Sequence, residues 1–221
     1  MGSNWEVVAS CVSAGMAVLA LLLSLRQGRM ANRQSLFDRR LKIWITVEKL
    51  AQVYQDNASL LEQGDEPQFA VDLCFEWLTN ASFLQEITPV IAHPLDAGYQ
   101  LKLHLKLDEM KALSAEASFV FKGAPKKAIA EFIDAYQALL FSMYRYQIVL
   151  NAMQSDASKF HWSLDESAKR LGERSHRIEL YNAEDRLAAA HKQITGRGVV
   201  GKVRRQIRLD STLADYISTF R

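Results

Sequence analysis

From Val7 to Leu25 the chain runs nineteen residues without a charged side chain, VVASCVSAGMAVLALLLSL. Wound as a helix at ~1.5 Å per residue, this run measures roughly 28 Å, close to the ~30 Å hydrocarbon core of a bilayer. Trp5 stands at its outer edge, where an indole favours the headgroup region, and Arg26 and Arg29 end it abruptly. A cleaved signal peptide opens with positive charge and has a shorter apolar core. Here no Lys or Arg precedes the run. A helix buried in a soluble domain seldom stays uncharged for so long. The expectation is a transmembrane anchor, its span marked by Val7, Val12, Leu19 and Leu25.

The flanking charge orients such an anchor. Residues 26–45 carry Arg26, Arg29, Arg33, Arg39, Arg40 and Lys42 against Asp38 alone, whereas the N-terminal side offers only Glu6 and the α-amino group. The positive-inside rule then leaves the N-terminus outside and the bulk of the chain in the cytoplasm. In a bacterium that membrane is the inner one. The basic stretch also suits anionic headgroups, so membrane lipid is an expected partner. Ala9, Ser13 and Ala17 place small residues four apart on the span, a spacing that lets helices approach closely in lipid and allows a homo-oligomer.

Beyond the anchor the chain reads as helical throughout, which gives an all-α fold of one anchor and a multi-helix bundle. Half the residues are hydrophobic (49%), enough to bury a core and to exclude a disordered chain. Phe37, Leu41, Trp44, Val47, Ala51, Tyr54, Ala58 and Leu61 recur in steps of three and four. The anchor either continues into this helix or bends at Gly28, with Gly64 and Pro67 ending it. A second helix is expected over residues 68–84, and Pro89 and Pro94 bracket a connection.

Residues 101–107, Leu-Lys-Leu-His-Leu-Lys-Leu, alternate as a strand would. Yet Leu103, Leu107, Met110, Leu113, Ala117 and Phe121 continue as a helical stripe, and the lack of a partner strand favours helix. Gly123 and Pro125 separate this helix from the next. That next helix carries Ile129, Ile133, Tyr136, Leu140, Met143, Gln147 and Leu150, widened by Phe132, Leu139, Phe141 and Tyr144. A helix apolar on so many sides belongs at the centre of a bundle. A more polar helix is expected over residues 164–195. The organisation that follows is an anchor over 1–28, a bundle over 29–195 and a basic tail over 196–221.

Charge subdivides the body. Residues 46–168 hold 9 basic and 17 acidic side chains, and residues 169–221 hold 12 basic and 6 acidic, so the chain's net +2 is a cancellation. The basic end is expected to fold back on the acidic body or to face the membrane.

The anchor, its basic collar and the run Phe37-Asp38-Arg39-Arg40-Leu41-Lys42-Ile43-Trp44 resemble a set of poorly characterised bacterial single-span proteins. These follow the span with an F-[DE]-x-R-[LY]-x-[IV]-[YW]-like run. Glu116-Ala117-Ser118-Phe119-Val120-Phe121 is similar to their E-A-x-F-[LV]-F segment. The resemblance spans residues 5–50 and 109–145. It implies a fold and a placement, and extends to this chain an expectation of a role in bacterial stress or antiphage systems.

Motifs that carry chemistry are scarce. Gly196-Arg197-Gly198-Val199-Val200-Gly201-Lys202 satisfies both G-x-G-x-x-G and G-x-x-x-x-G-K. A P-loop needs a preceding strand and a hydroxyl after the Lys to hold magnesium, and here Val203 stands in that place. A helix C-cap and flexible hinge explains these glycines more simply. Arg197, Lys202, Arg204 and Arg205 remain candidate contacts for an anion. His93, His104, His161, His176 and His191 form no i, i+4 pair, and Cys11 and Cys74 are far apart, so no metal set is indicated. No G-x-S-x-G elbow occurs. No cofactor is implied and no enzyme is expected.

The leading expectation is a membrane-anchored protein that acts through protein interaction as scaffold, sensor or regulator. An oligomerising membrane-disrupting effector is the second. Nucleotide or nucleic-acid binding through the Gly-rich basic segment is the third and least favoured.

Overall fold

The computed structural model describes residues 3–61 and 71–208, and within the first helix the side chains of residues 3–14, Val18 and 59–61 lie outside that description. Every described element is helical. Helix α1 (Ser3–Leu61) is followed by α2 (Val71–Leu78), a 3-10 helix (Gln85–Val90), α3 (Ala97–Val120) and α4 (Ala124–Phe160). The chain then forms α5 (Leu164–Leu171), α6 (Glu173–Thr195) and α7 (Arg197–Ile207).

Helix α1 continues through Gly28 without interruption. The first side chain packed against the core is Leu36, and the buried stripe is Ile43, Val47, Leu50, Ala51 and Tyr54. Phe37, Leu41 and Trp44 are only half-buried, so the inward face is rotated from the one the sequence suggested. The helix stops at Leu61, and Gly64 and Pro67, expected to end it, lie outside the described residues.

The second helix is shorter than expected. Val71, Cys74, Phe75 and Leu78 form its buried stripe. Thr79 then ends it, its hydroxyl donating to the Phe75 carbonyl at 2.8 Å and accepting from Thr88 at 2.9 Å. Side-chain bonding to the backbone offers the chain an alternative to a further α-turn. Leu84, Ile87, Val90 and Ile91 reach the core from the 3-10 helix and its flanks. Pro89 is tolerated in that short element.

Asp96 caps α3, its carboxylate accepting from the amides of Gly98 at 2.8 Å and Tyr99 at 3.1 Å. The alternating leucines resolve as helix. Leu103 and Leu107 point into the core with Met110, whereas Leu101 and Leu105 are 60% and 61% exposed. Gly123 (φ 65°, ψ −141°) turns the corner into α4 in a conformation open to glycine alone. Pro125 sits in the first turn beyond it.

Helix α4 is the axis of the bundle, about 55 Å long and in contact with every other α-helix of the body. Its expected apolar residues are buried, except that Gln147 is half-buried and Phe141 is exposed. The polar helix expected over 164–195 is two helices, because Gly172 adopts a left-handed conformation (φ 66°, ψ 30°) that closes α5 and opens α6. Gly196 ends α6, but the hinge expected after it is helix α7. Val203 of α7 is fully buried, and Val199 and Ile207 pack beside it.

Candidate functional site

Two features set this bundle apart from a plain helical core: the part of α1 that leaves it, and the basic surface gathered where α1 departs. Met16, Leu19, Leu21, Leu22, Leu23 and Leu25 are each 54–65% exposed. Successive helical residues lie about 100° apart, so the exposed apolar side chains from Met16 to Leu25 cover more than half of the rod's circumference rather than one narrow stripe. Ala17 is exposed as well, while the side chains of Val7, Ala9, Val12 and Ser13 lie outside the described residues. Among the described residues no helix is long and apolar enough to cross a membrane. Arg26, Arg29, Arg33 and Arg39 are exposed along the same rod.

Arg40 behaves differently from its neighbours. It turns inward, its Nε donating to the Val120 carbonyl at 2.7 Å and its other guanidinium nitrogen to the Gln206 carbonyl at 2.9 Å. These carbonyls end α3 and α7, where the helix macrodipoles are negative and a cation is favoured. The guanidinium carbon also lies 6.0 Å from the centre of the Phe121 ring. Burial holds the Arg40 pKa below the usual arginine value.

Gln206 completes the junction. Its side-chain amide accepts from the Lys122 N–H at 3.0 Å and donates to the Lys122 carbonyl at 2.9 Å. It pairs with that backbone as a neighbouring strand would. Arg40 and Gln206 therefore tie together α1, the end of α3, the α3–α4 corner and the end of α7. Sequence reasoning placed Arg40 in the basic collar and passed over the uncharged Gln206. No local pattern marks a contact between residues 166 positions apart.

The four candidate anion contacts lie on α7. Arg197, Lys202, Arg204 and Arg205 are all exposed. The backbone of Gly198 and Gly201 belongs to a helix, and a Cβ at either would meet nothing within 4 Å. These glycines are ordinary surface helix positions rather than the cradle of a phosphate loop. The apolar side of α7 is spent on the bundle through Val203, so this segment is docked on the body, with only its basic side turned outward.

Among the described residues no three His, Cys, Asp or Glu side chains gather as metal ligands. His191 alone is buried, its ring 4.8 Å from that of Tyr54 and 6.2 Å from that of Phe132. Desolvation lowers its pKa, against the raising effect of a hydrogen bond to the Ala51 backbone carbonyl. A groove of about 330 Å³ between α1 and α6 is lined by Trp44, Ala51, His191 and Ile194. A larger one of about 460 Å³ lies between Leu150, Met153, Ala168 and Arg177.

The buried charges are tied to structure. Lys106 reaches Glu86 at 2.6 Å and Glu109 at 2.5 Å and lies 4.6 Å over the Phe83 ring, clamping the 3-10 helix to α3. Burial would lower the Lys106 pKa, but the hydrogen bonds to Glu109 and Glu86 outweigh it and raise the value. Tyr146 donates to the buried Glu173 at 2.6 Å, with Arg177 at 3.4 Å from the same carboxylate. No family model matches the sequence, and no curated protein or solved structure is detectably similar to it.

Proposed function

We infer that this chain is a single-span membrane protein whose helical bundle acts by binding protein partners. In this reading α1 crosses a bacterial inner membrane through Val7–Leu25, with the N-terminus outside and the bundle on the cytoplasmic side. The observation that carries it is the exposure of Met16, Leu19, Leu21, Leu22, Leu23 and Leu25 over more than half the circumference of a rod whose far end is the core of a bundle. Each such side chain left in water forfeits ~1.5–3 kcal/mol available from burial, and a bilayer supplies that burial with no further protein. The cations that follow, Arg26, Arg29 and Arg33, suit the inner headgroups.

Interaction is favoured over chemistry by the outward face of α3. Leu101 and Leu105 are exposed there, more than half of each side chain open to solvent. An apolar face held on a rigid helix is the usual material of a protein interface.

Fractionation of cells expressing the chain, followed by protease treatment from each side, tests the placement. The chain is expected in the membrane fraction, with α3–α7 cleaved only after the inner membrane is opened. Recovery of the chain in the soluble fraction, or cleavage of the bundle from the periplasm, overturns the reading.

A further inference from the structure

We propose that the end of the bundle formed by the α3–α4 corner and the end of α7 is an anionic-lipid recognition surface that lies against the bilayer in which α1 is anchored. The proposal rests on the single-span reading above and adds a second contact to it. The Arg40–Gln206 junction brings together cations remote in sequence: Lys122, Lys126 and Lys127 at the corner, and Arg204, Arg205 and Arg208 at the end of α7. All six side chains are exposed. On the α3–α4 side the carboxylates nearest in sequence to the three lysines are Glu116, half-buried on α3, and Glu131, which pairs with Lys127 at 3.5 Å. At the last turn of α3 stands Phe119, 87% exposed, the most exposed large apolar side chain of those described.

Cations around a bare aromatic ring match an anionic bilayer surface, which attracts the charges and takes the ring into its interfacial layer. Position supports the same occupant. Leu36 is where the bundle meets α1, and eleven residues of helix, about 16 Å, separate it from Leu25 at the end of the apolar run. Headgroups fill roughly 6 Å of that distance. The remaining ~10 Å is near one Debye length, and a helix tilt of ~40° reduces it to about 6 Å. A soluble polyanion would need no such proximity, so charge and placement together select lipid over nucleic acid.

The test uses the full chain with the photoreactive residue p-benzoylphenylalanine in place of Phe119, embedded in nanodiscs. One set of discs is phosphatidylcholine alone, and the other has about one lipid in three as phosphatidylglycerol. Irradiation is expected to attach lipid to position 119 in the anionic discs, at least about fivefold more than in the neutral ones. Replacing Lys122, Lys126 and Lys127 by Gln should lower this labelling about tenfold, with thermal unfolding unchanged because all three are exposed. Equal labelling in the two lipids, absence of lipid adducts, or adducts to protein or nucleic acid in the cell overturn the proposal. A chain embedded in both discs but unlabelled at position 119 overturns it while leaving the anchor intact. A chain that labels anionic lipid without embedding overturns the anchor alone, and one that does neither overturns both.

Discussion

Arg40 is the arginine of α1 whose guanidinium holds two helix C-termini, and its loss would leave the Val120 and Gln206 carbonyls without that donor. Hydrogen bonds from a charged group contribute ~1.5–3 kcal/mol each, with partial exposure favouring the lower figure. Arg40→Ala is therefore expected to destabilise the bundle by about 2–3 kcal/mol, seen as a fall of roughly 5–10 °C in its thermal midpoint. Arg39→Ala, one residue earlier and exposed, should stay within about 0.5 kcal/mol of the parent. Equal effects of the two substitutions would refute the distinction drawn between them.

His191 supplies the pH dependence at this scale. Its folded pKa lies below the unfolded value of 6.5, so the unfolded chain takes up its proton first as the pH falls. The folded state loses stability as the pH drops through 6.5 and below, and gains nothing from this group at higher pH. His191→Gln removes the titrating group. Between pH 7 and pH 5.5 the urea midpoint of the parent should fall further than that of the variant, and parallel profiles would exclude His191 as the source.

At the scale of the elements, glycines separate positions that need their freedom from positions that do not. Gly123 and Gly172 both have positive φ, but Gly172 is in the left-handed helical well while Gly123 combines φ 65° with ψ −141°. Alanine at position 172 should cost about 1–2 kcal/mol, and at position 123 more, toward ~3 kcal/mol. Gly198→Ala and Gly201→Ala lie within α7, where a Cβ meets open space, and each should stabilise by up to about 1 kcal/mol. Four thermal melts rank these predictions. A loss of stability at 198 or 201 would show that α7 needs its glycines after all.

Local physics also explains which elements were readable. The 3.6-residue stripe of α3 outweighed the strand-like alternation of residues 101–107, because Leu103, Leu107 and Met110 share one face of a helix. The breadth of apolar positions along α4 announced its central place. The break at Gly172 was less legible, since a lone glycine within a helical pattern is often tolerated. The early end of α2 at Thr79 depends on a part-buried bond with Thr88, nine residues away and beyond any helical repeat.

For the molecule as a whole, the outward side of α3 is the surface on which the interaction reading depends. Leu101→Ser combined with Leu105→Ser removes apolar area that the core does not use, since both side chains are more than half exposed. Crosslinking and pull-down from intact membranes should then recover less of the protein partner, with the thermal midpoint unchanged or slightly raised. Undiminished recovery would move the interface to another face.

The sequence by itself determined the helical class, the central helix and the uncharged run that separates α1 into two chemistries. These follow from periodicity and composition within a few turns of chain, which neighbouring residues dictate. The tertiary structure alone decided which charges act together. In sequence, Lys122, Lys126 and Lys127 belong to an acidic half and Arg204, Arg205 and Arg208 to a basic tail. Arg40 and Gln206 bring the corner and the helix end to one place through bonds spanning 80 to 166 residues. Coulomb interactions depend on separation in space, and chain order does not encode that separation until the core has packed.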